Sequence, residues 1–172
     1  VTTAQRILVM GVSGSGKSHV GRLLAARLGA DYIDGDDHHS ASSIDKMARG
    51  IPLTDADRQG WLETLAGCFA DYRRRQASVV IGCSALKLRY RDILRQGDPG
   101  LAILFLNGSR EQLRERLASR EGHFFKGDTM LDSQLATLEP PAADEALTLD
   151  VGHSPEALVE AFLRWRTAGR EA

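Results

Sequence analysis

The sequence predicts an α/β fold: a five-stranded parallel sheet with helices on both faces. Three observations carry that prediction. Short runs rich in apolar or β-branched residues recur at 6–10, 30–34, 78–82, 101–106 and 146–150, each too short for a helix. Segments with apolar residues at helical spacing separate them, and this alternation is the signature of parallel strands joined by crossover helices. Between the first run and the first helix, Gly11-Val12-Ser13-Gly14-Ser15-Gly16-Lys17-Ser18 matches G-x-x-x-x-G-K-[ST] at every fixed position.

That octapeptide carries specific chemistry. Its glycines let the backbone turn tightly and gather N–H groups around a phosphate at the positive end of the following helix. Lys17 reaches for the β- and γ-phosphates of a nucleotide, and the Ser18 hydroxyl is a ligand for Mg²⁺. Residues 11 to 18 are thus the expected ATP-binding set.

With 172 residues, the chain suits a single domain, 1–172. A net charge of −1 and a pI near 6.6 give no electrostatic footprint for nucleic acid or an anionic membrane. No apolar run approaches the length needed to span a bilayer, and no basic segment precedes an apolar stretch at the N-terminus, so a cytoplasmic location is expected. Cys68 and Cys83 lack metal-ligand spacing and read as buried, reduced thiols.

The elements follow in order. Val20, Leu23, Leu24 and Leu28 set the stripe of a first helix that Gly29 ends. At the carboxyl end of the second strand, where open parallel sheets bind ligands, stands Asp34-Gly35-Asp36-Asp37-His38-His39. This cluster suits metal binding, general-base work or hydrogen bonding to a polyhydroxylated substrate. A short helix over 40–49 precedes an extended connector. Thr54 and Asp57 then open a long helix with a capping-box pattern, its stripe formed by Trp61, Leu62, Leu65, Phe69 and Tyr72. Arg58 lies in its first turn, where a cation opposes the helix dipole, so a ligand carboxylate or phosphate is its better partner. Arg73-Arg74-Arg75 closes the helix as a solvated end.

Cys83-Ser84-Ala85-Leu86-Lys87 follows the third strand, and a helix over 88–96 follows that. Ser109 and Gln112 cap a further helix that delivers Arg116 and Arg120 to a glycine-hinged stretch, read as a lid over about 116–130. Arginines there can neutralise charge during phosphoryl transfer. Met130, Leu131, Leu135 and Leu138 pattern one more helix, and Ser154-Pro155 opens the last. The fourth strand ends in Asn107 rather than aspartate, which leaves Asp34 as the candidate magnesium carboxylate. No N-K-x-D sequence appears, which argues against a small GTPase.

Beyond the phosphate loop, the chain resembles the gluconate kinases, small ATP-dependent P-loop kinases related to shikimate kinase and the nucleoside monophosphate kinases. The resemblance runs through Asp34-Gly35-Asp36-Asp37-x-His39, Lys46-Met47, Gly50-x-Pro52-Leu53-x-Asp55-x-Asp57-Arg58-x-x-Trp61-Leu62, Cys83 to Lys87, Tyr90-Arg91-Asp92, Arg120-x-Gly122-His123-Phe124, Ser133-Gln134 and Leu138-Glu139. It implies transfer of the ATP γ-phosphoryl group to the 6-hydroxyl of D-gluconate, with Mg²⁺, in a homodimer. By analogy with shikimate kinase, Asp34 would orient magnesium-bound water and Asp36 would take or direct the hydroxyl proton. Lys17, Asp36, Arg116 and Arg120 form the implied catalytic set. Asp36, His39, Arg58, Lys87, His123 and Gln134 form the implied acceptor set, within a substrate-binding region of about 36–75 and the lid. The sequence departs from the usual pattern at His38, Ser40 and Ser43, and it lacks the usual proline shortly after Phe125. Two alternatives stand beside this reading: a P-loop kinase for shikimate or a nucleoside monophosphate, and a nucleotide-binding switch without a small acceptor.

Overall fold

The computed structural model describes residues 3–121 and 128–171. Its sheet contains β1 (Arg6–Met10), β2 (Asp31–Asp34), β3 (Val79–Gly82), β4 (Ala102–Asn107) and β5 (Leu147–Asp150), all parallel, in the order β2-β3-β1-β4-β5. β1 is central: Leu8 faces Ile81 on one side and Ile103 on the other. The phosphate loop leaves the middle of the sheet, where crossovers diverge and ligands bind.

Side chains alternate across this sheet and build a core on each face. Leu8, Met10, Ile81 and Phe105 join Trp61, Leu62, Leu65 and Phe69 of α3 (Asp55–Arg74) and Tyr90 and Leu94 of α4 (Leu88–Arg95). Ile7, Val9, Val80 and Leu104 join α1 (Lys17–Leu28) and α7 (Pro155–Glu171) on the other face. A third cluster, Val12, Leu86, Leu113, Leu117 and Leu131, joins the phosphate loop to the turn after β3, to α5 (Arg110–Glu121) and to α6 (Asp128–Thr137).

The expected caps are present. Thr54 and Asp57 make a reciprocal capping box, Ser109 and Gln112 bond each other's backbone N–H groups, and the Ser154 hydroxyl accepts from Ala157. Ser40, one of the departures from the family pattern, caps α2 (Ala41–Ala48) by accepting from the N–H of Ser43, which is itself buried.

Several expectations need correction. Met130 is exposed, whereas Leu131 is buried and Leu135 and Leu138 pack against the same cluster; α6 ends at Thr137. Tyr72 is only half-buried because its hydroxyl turns outward to donate to Asp31. Cys68 is half-buried, and only Cys83 is enclosed, which pushes its thiol up to about 12 and leaves it inert. Arg74 and Arg75 are not merely solvated: both pair with Asp71, and Arg75 lies over the Tyr72 ring.

Candidate active site

The phosphate loop is shaped by its glycines. Gly14 and Gly16 have φ of 85° and 89°, in the left-handed region where a side chain is strained. A Cβ on Gly14 would lie 2.8 Å from Leu117 Cγ, and one on Gly16 would lie 3.0 Å from Arg116 Nη2, so α5 closes over the loop only because both are glycine. Gly16 begins α1 without any side-chain cap. The first N–H groups of that helix are therefore an anion site built from backbone.

Around the loop lies a cleft of about 1210 Å³ lined by Ser13, Gly14, Gly16, Lys17, Ser18, Tyr32, Asp34, Asp36 and Arg116, among others. It brings together most of the residues expected to handle nucleotide and transfer. Lys17 Nζ donates to the Val12 carbonyl at 3.1 Å, which folds the lysine back along the loop. Arg116 Nε donates to the Gly14 carbonyl at 2.8 Å and its Nη1 to Val151 at 3.3 Å, so this arginine grips the loop from outside. Arg120 contributes no described side chain, and His123, with the 122–127 part of the expected lid, lies outside the described residues; the rest of that stretch belongs to α5 and α6.

The Asp34–Asp36 turn is fixed locally. Asp34 Oδ1 accepts from the Asp36 N–H at 3.0 Å and caps a 3-10 turn over Gly35–His38, while Trp61 Nε1 donates to the Gly35 carbonyl at 2.7 Å. Asp36 lines the cleft and is exposed to solvent there, although the protein around the turn desolvates its carboxylate in part. That desolvation raises its pKa from the ordinary 3.8, against the lowering effect of Lys17 and with a further raising effect from Asp34. Solvent in the open cleft moderates the shift.

His39 stacks on Trp61 with ring centroids 4.1 Å apart, and its Nδ1 is buried without a hydrogen-bond partner. Burial lowers its pKa first; Asp36 opposes that and Arg58 reinforces it. Trp61 is therefore both a core residue, as expected, and the platform for a site histidine.

A second group lies where α3 meets α4. Arg58 Nη1 donates to Tyr90 Oη at 3.2 Å, and Tyr90 Oη donates to Asp55 Oδ1 at 2.5 Å. Lys87 Nζ pairs with Asp55 at 3.5 Å, and both Arg58 and Lys87 rest against the Tyr90 ring. Nothing in the residue types had marked Tyr90 and Asp55 as site residues. Their presence in the two resemblance segments was the only signal. Gln134 Oε1 accepts from the Ser13 N–H at 2.7 Å, so this residue reaches the phosphate loop.

Among the described residues no group of three or more His, Cys, Asp or Glu could hold a metal alone. Magnesium needs no such cage, since it keeps waters and binds through one or two protein ligands and substrate phosphates. The Ser18 hydroxyl and the Asp34 carboxylate, both lining the cleft, are donors of the right kind.

A glycine loop opening an uncapped helix beside a D-x-D turn, on this five-stranded parallel sheet, defines a P-loop kinase. The AAA domain family model matches residues 7–141. The chain belongs to the gluconokinase family: it is 45% identical to the thermosensitive gluconokinase of Escherichia coli over 152 residues, covering 87% of this chain and 80% of that protein. It is also 40% identical to the gluconokinase of Gluconobacter oxydans, covering 92% and 89% respectively. The solved gluconokinase of Sinorhizobium meliloti superposes with a TM-score of 0.86 at 43% identity, covering 95% of this chain and 92% of that one. A shikimate kinase from Acinetobacter baumannii, with a TM-score of 0.66 and 18% identity, shares the fold.

Proposed function

We propose that the chain transfers the γ-phosphoryl group of ATP to the 6-hydroxyl of D-gluconate, giving 6-phospho-D-gluconate and ADP. The observation that carries this reading is the meeting of the phosphate loop and the Asp34–Asp36 turn in one cleft, in a chain about 45% identical to gluconokinases over most of its length. Backbone N–H groups of residues 11–18 cradle the phosphates, and Lys17 leaves the Val12 carbonyl to follow charge onto the transferring group. Ser18 and Asp34 would hold Mg²⁺, which when bound neutralises phosphate charge. Asp36 accepts the hydroxyl proton or directs it toward the attacking geometry. Arg116, with Arg120, offsets charge from the lid side. Arg58 and Lys87 supply cations for the acceptor's carboxylate, and His39 and His123 supply polar contacts for its hydroxyls. Gln134 supports the loop on which transfer depends.

No helix among the described residues is long and apolar enough to cross a membrane. A cytoplasmic homodimer without nucleic-acid or membrane partners is the form we assign to the enzyme. The direct test is initial-rate ADP production from Mg·ATP with D-gluconate, shikimate, AMP or no acceptor. Stimulation by gluconate alone is expected. Activity with another acceptor and none with gluconate would overturn the acceptor assignment while leaving the phosphate loop in place.

A further inference from the structure

The turn that presents Lys87 is not held by its own residues. Ala85, fully buried, has φ of 47°, a conformation that costs a non-glycine residue energy and persists only when its surroundings impose it. Lys87 then begins α4 with no side-chain cap of its own. Both deficits are met from the segment that follows α6. Glu139 donates its backbone N–H to the Leu86 carbonyl at 2.7 Å, and its Oε1 accepts from the Leu88 N–H at 2.9 Å. The capping carboxylate thus comes from 51 residues along the chain. Buried Arg91 completes the clamp, donating to the carbonyls of Ala85 at 2.8 Å and Glu139 at 2.9 Å, with its Nε on Glu145 at 2.6 Å.

The other end of the same segment touches the phosphate loop. Gln134 accepts from the Ser13 N–H, and the Leu138 N–H donates to the Gln134 carbonyl at 2.9 Å, continuing helical bonding to the residue before Glu139. Beneath lies the apolar cluster that places Val12 of the phosphate loop with Leu86 of the turn and Leu131 of α6.

We propose that Glu139 is a positioning residue for phosphoryl transfer: it caps α4 from a distant segment of the same chain and thereby sets the acceptor lysine, Lys87, in register with the phosphate loop. This rests on Lys87 as an acceptor ligand, as proposed above. The carboxylate is suited to the task because it both accepts the orphan N–H and faces the positive end of the helix.

The test is steady-state kinetics of Glu139→Ala, Glu139→Gln, Lys87→Ala and the double variant Glu139→Ala/Lys87→Ala, with amide hydrogen exchange at Leu88. Glu139→Ala is expected to raise the KM for gluconate about five- to tenfold, the size of a lost helix N-cap, while KM for Mg·ATP stays within about twofold. Leu88 should exchange faster. Glu139→Gln, whose amide oxygen still accepts, should recover most of both effects. In the Lys87→Ala background Glu139→Ala should have little further effect, because the residue acts through that lysine. An equal effect in both backgrounds, or a rise in both KM values that glutamine does not rescue, would overturn the inference and leave Glu139 structural only. If Lys87→Ala itself left the gluconate KM unchanged, the acceptor assignment of Lys87 would fall first, and the inference with it. Should Glu139→Ala not fold, Glu139→Asp, one methylene short, serves the same comparison.

Discussion

The two halves of the cleft are built in different ways. On the nucleotide side, binding groups are backbone N–H donors, placed by left-handed glycines within eight consecutive residues and by one uncapped helix end. On the proposed acceptor side they are side chains, placed by partners far along the chain: Arg58 on Tyr90, Tyr90 on Asp55, Lys87 on Asp55. The first takes its shape from local backbone, with Arg116 and Gln134 bracing it from outside. The second is a network in which one substitution unpairs several groups.

Breaking the nucleotide half should have the largest effect. Lys17→Ala removes the one cation carried by the loop itself, and kcat is expected to fall at least about a hundredfold, the loss typical of a single preorganised transition-state donor. The fold should survive, since Lys17 is only half-buried and its bond to the Val12 carbonyl stays within the loop. Circular dichroism alongside ADP-release kinetics checks both; near-normal turnover would remove the loop from the mechanism.

Asp36 lies where the halves meet, and Asp36→Asn separates them. If Asp36 serves the acceptor hydroxyl, kcat should fall about 10²- to 10⁴-fold with KM for ATP nearly unchanged. A change confined to ATP affinity would move Asp36 to the nucleotide side. Its pH behaviour gives a second reading. Desolvation raises its pKa above 3.8, so as pH falls the carboxylate protonates earlier than an ordinary one and the base is lost. The acid limb of kcat/KM should lie above the ordinary carboxylate range and should vanish in Asp36→Asn.

The acceptor half itself is sharpened by Tyr90→Phe. Removing the hydroxyl takes away the acceptor of Arg58 and the donor to Asp55 but leaves the ring beneath Arg58 and Lys87. A rise of about two- to tenfold in gluconate KM is expected, with ATP kinetics unchanged, in keeping with the loss of one or two partly exposed hydrogen bonds. A parallel rise in both KM values would mean that the two halves are less separate than their construction implies.

The same contrast explains what could be read beforehand. The strands, the caps at Thr54 and Ser109, the loop and the D-x-D turn are all encoded within a few residues, and each stands where its pattern placed it. Tyr90, Asp55 and Glu139 act only through partners 32 to 51 residues away, a relation that no periodicity or spacing records. Gln134 shows the limit from the other direction. The resemblance implied Gln134 as an acceptor residue, but no spacing announced its bond to the phosphate loop at Ser13, which arises because α6 folds back over Val12.

The smallest effect expected concerns the scaffold of the acceptor half. Asp57 accepts from the Thr54 N–H at 2.8 Å and from Lys46 Nζ at 2.9 Å, joining α2 to the start of α3. These bonds, the Thr54 N–H first, hold its carboxyl at about 2 instead of 3.8. It is 16% exposed because its partners cover it, but no core encloses it, so water screens the pair and the stabilisation is modest. The folded state binds the proton less readily than the unfolded chain. The contribution is therefore complete above the unfolded value of 3.8 and disappears as pH falls through about 2. Asp57→Asn should flatten the acid dependence of the melting temperature across that window, and Lys46→Met should flatten it by less, since the lysine is the second cause and the backbone bond remains. If both left the acid limb unchanged, the first turn of α3 would owe its position to Trp61 and Leu62 beneath it, and the acceptor half would rest on the core as firmly as the phosphate loop does.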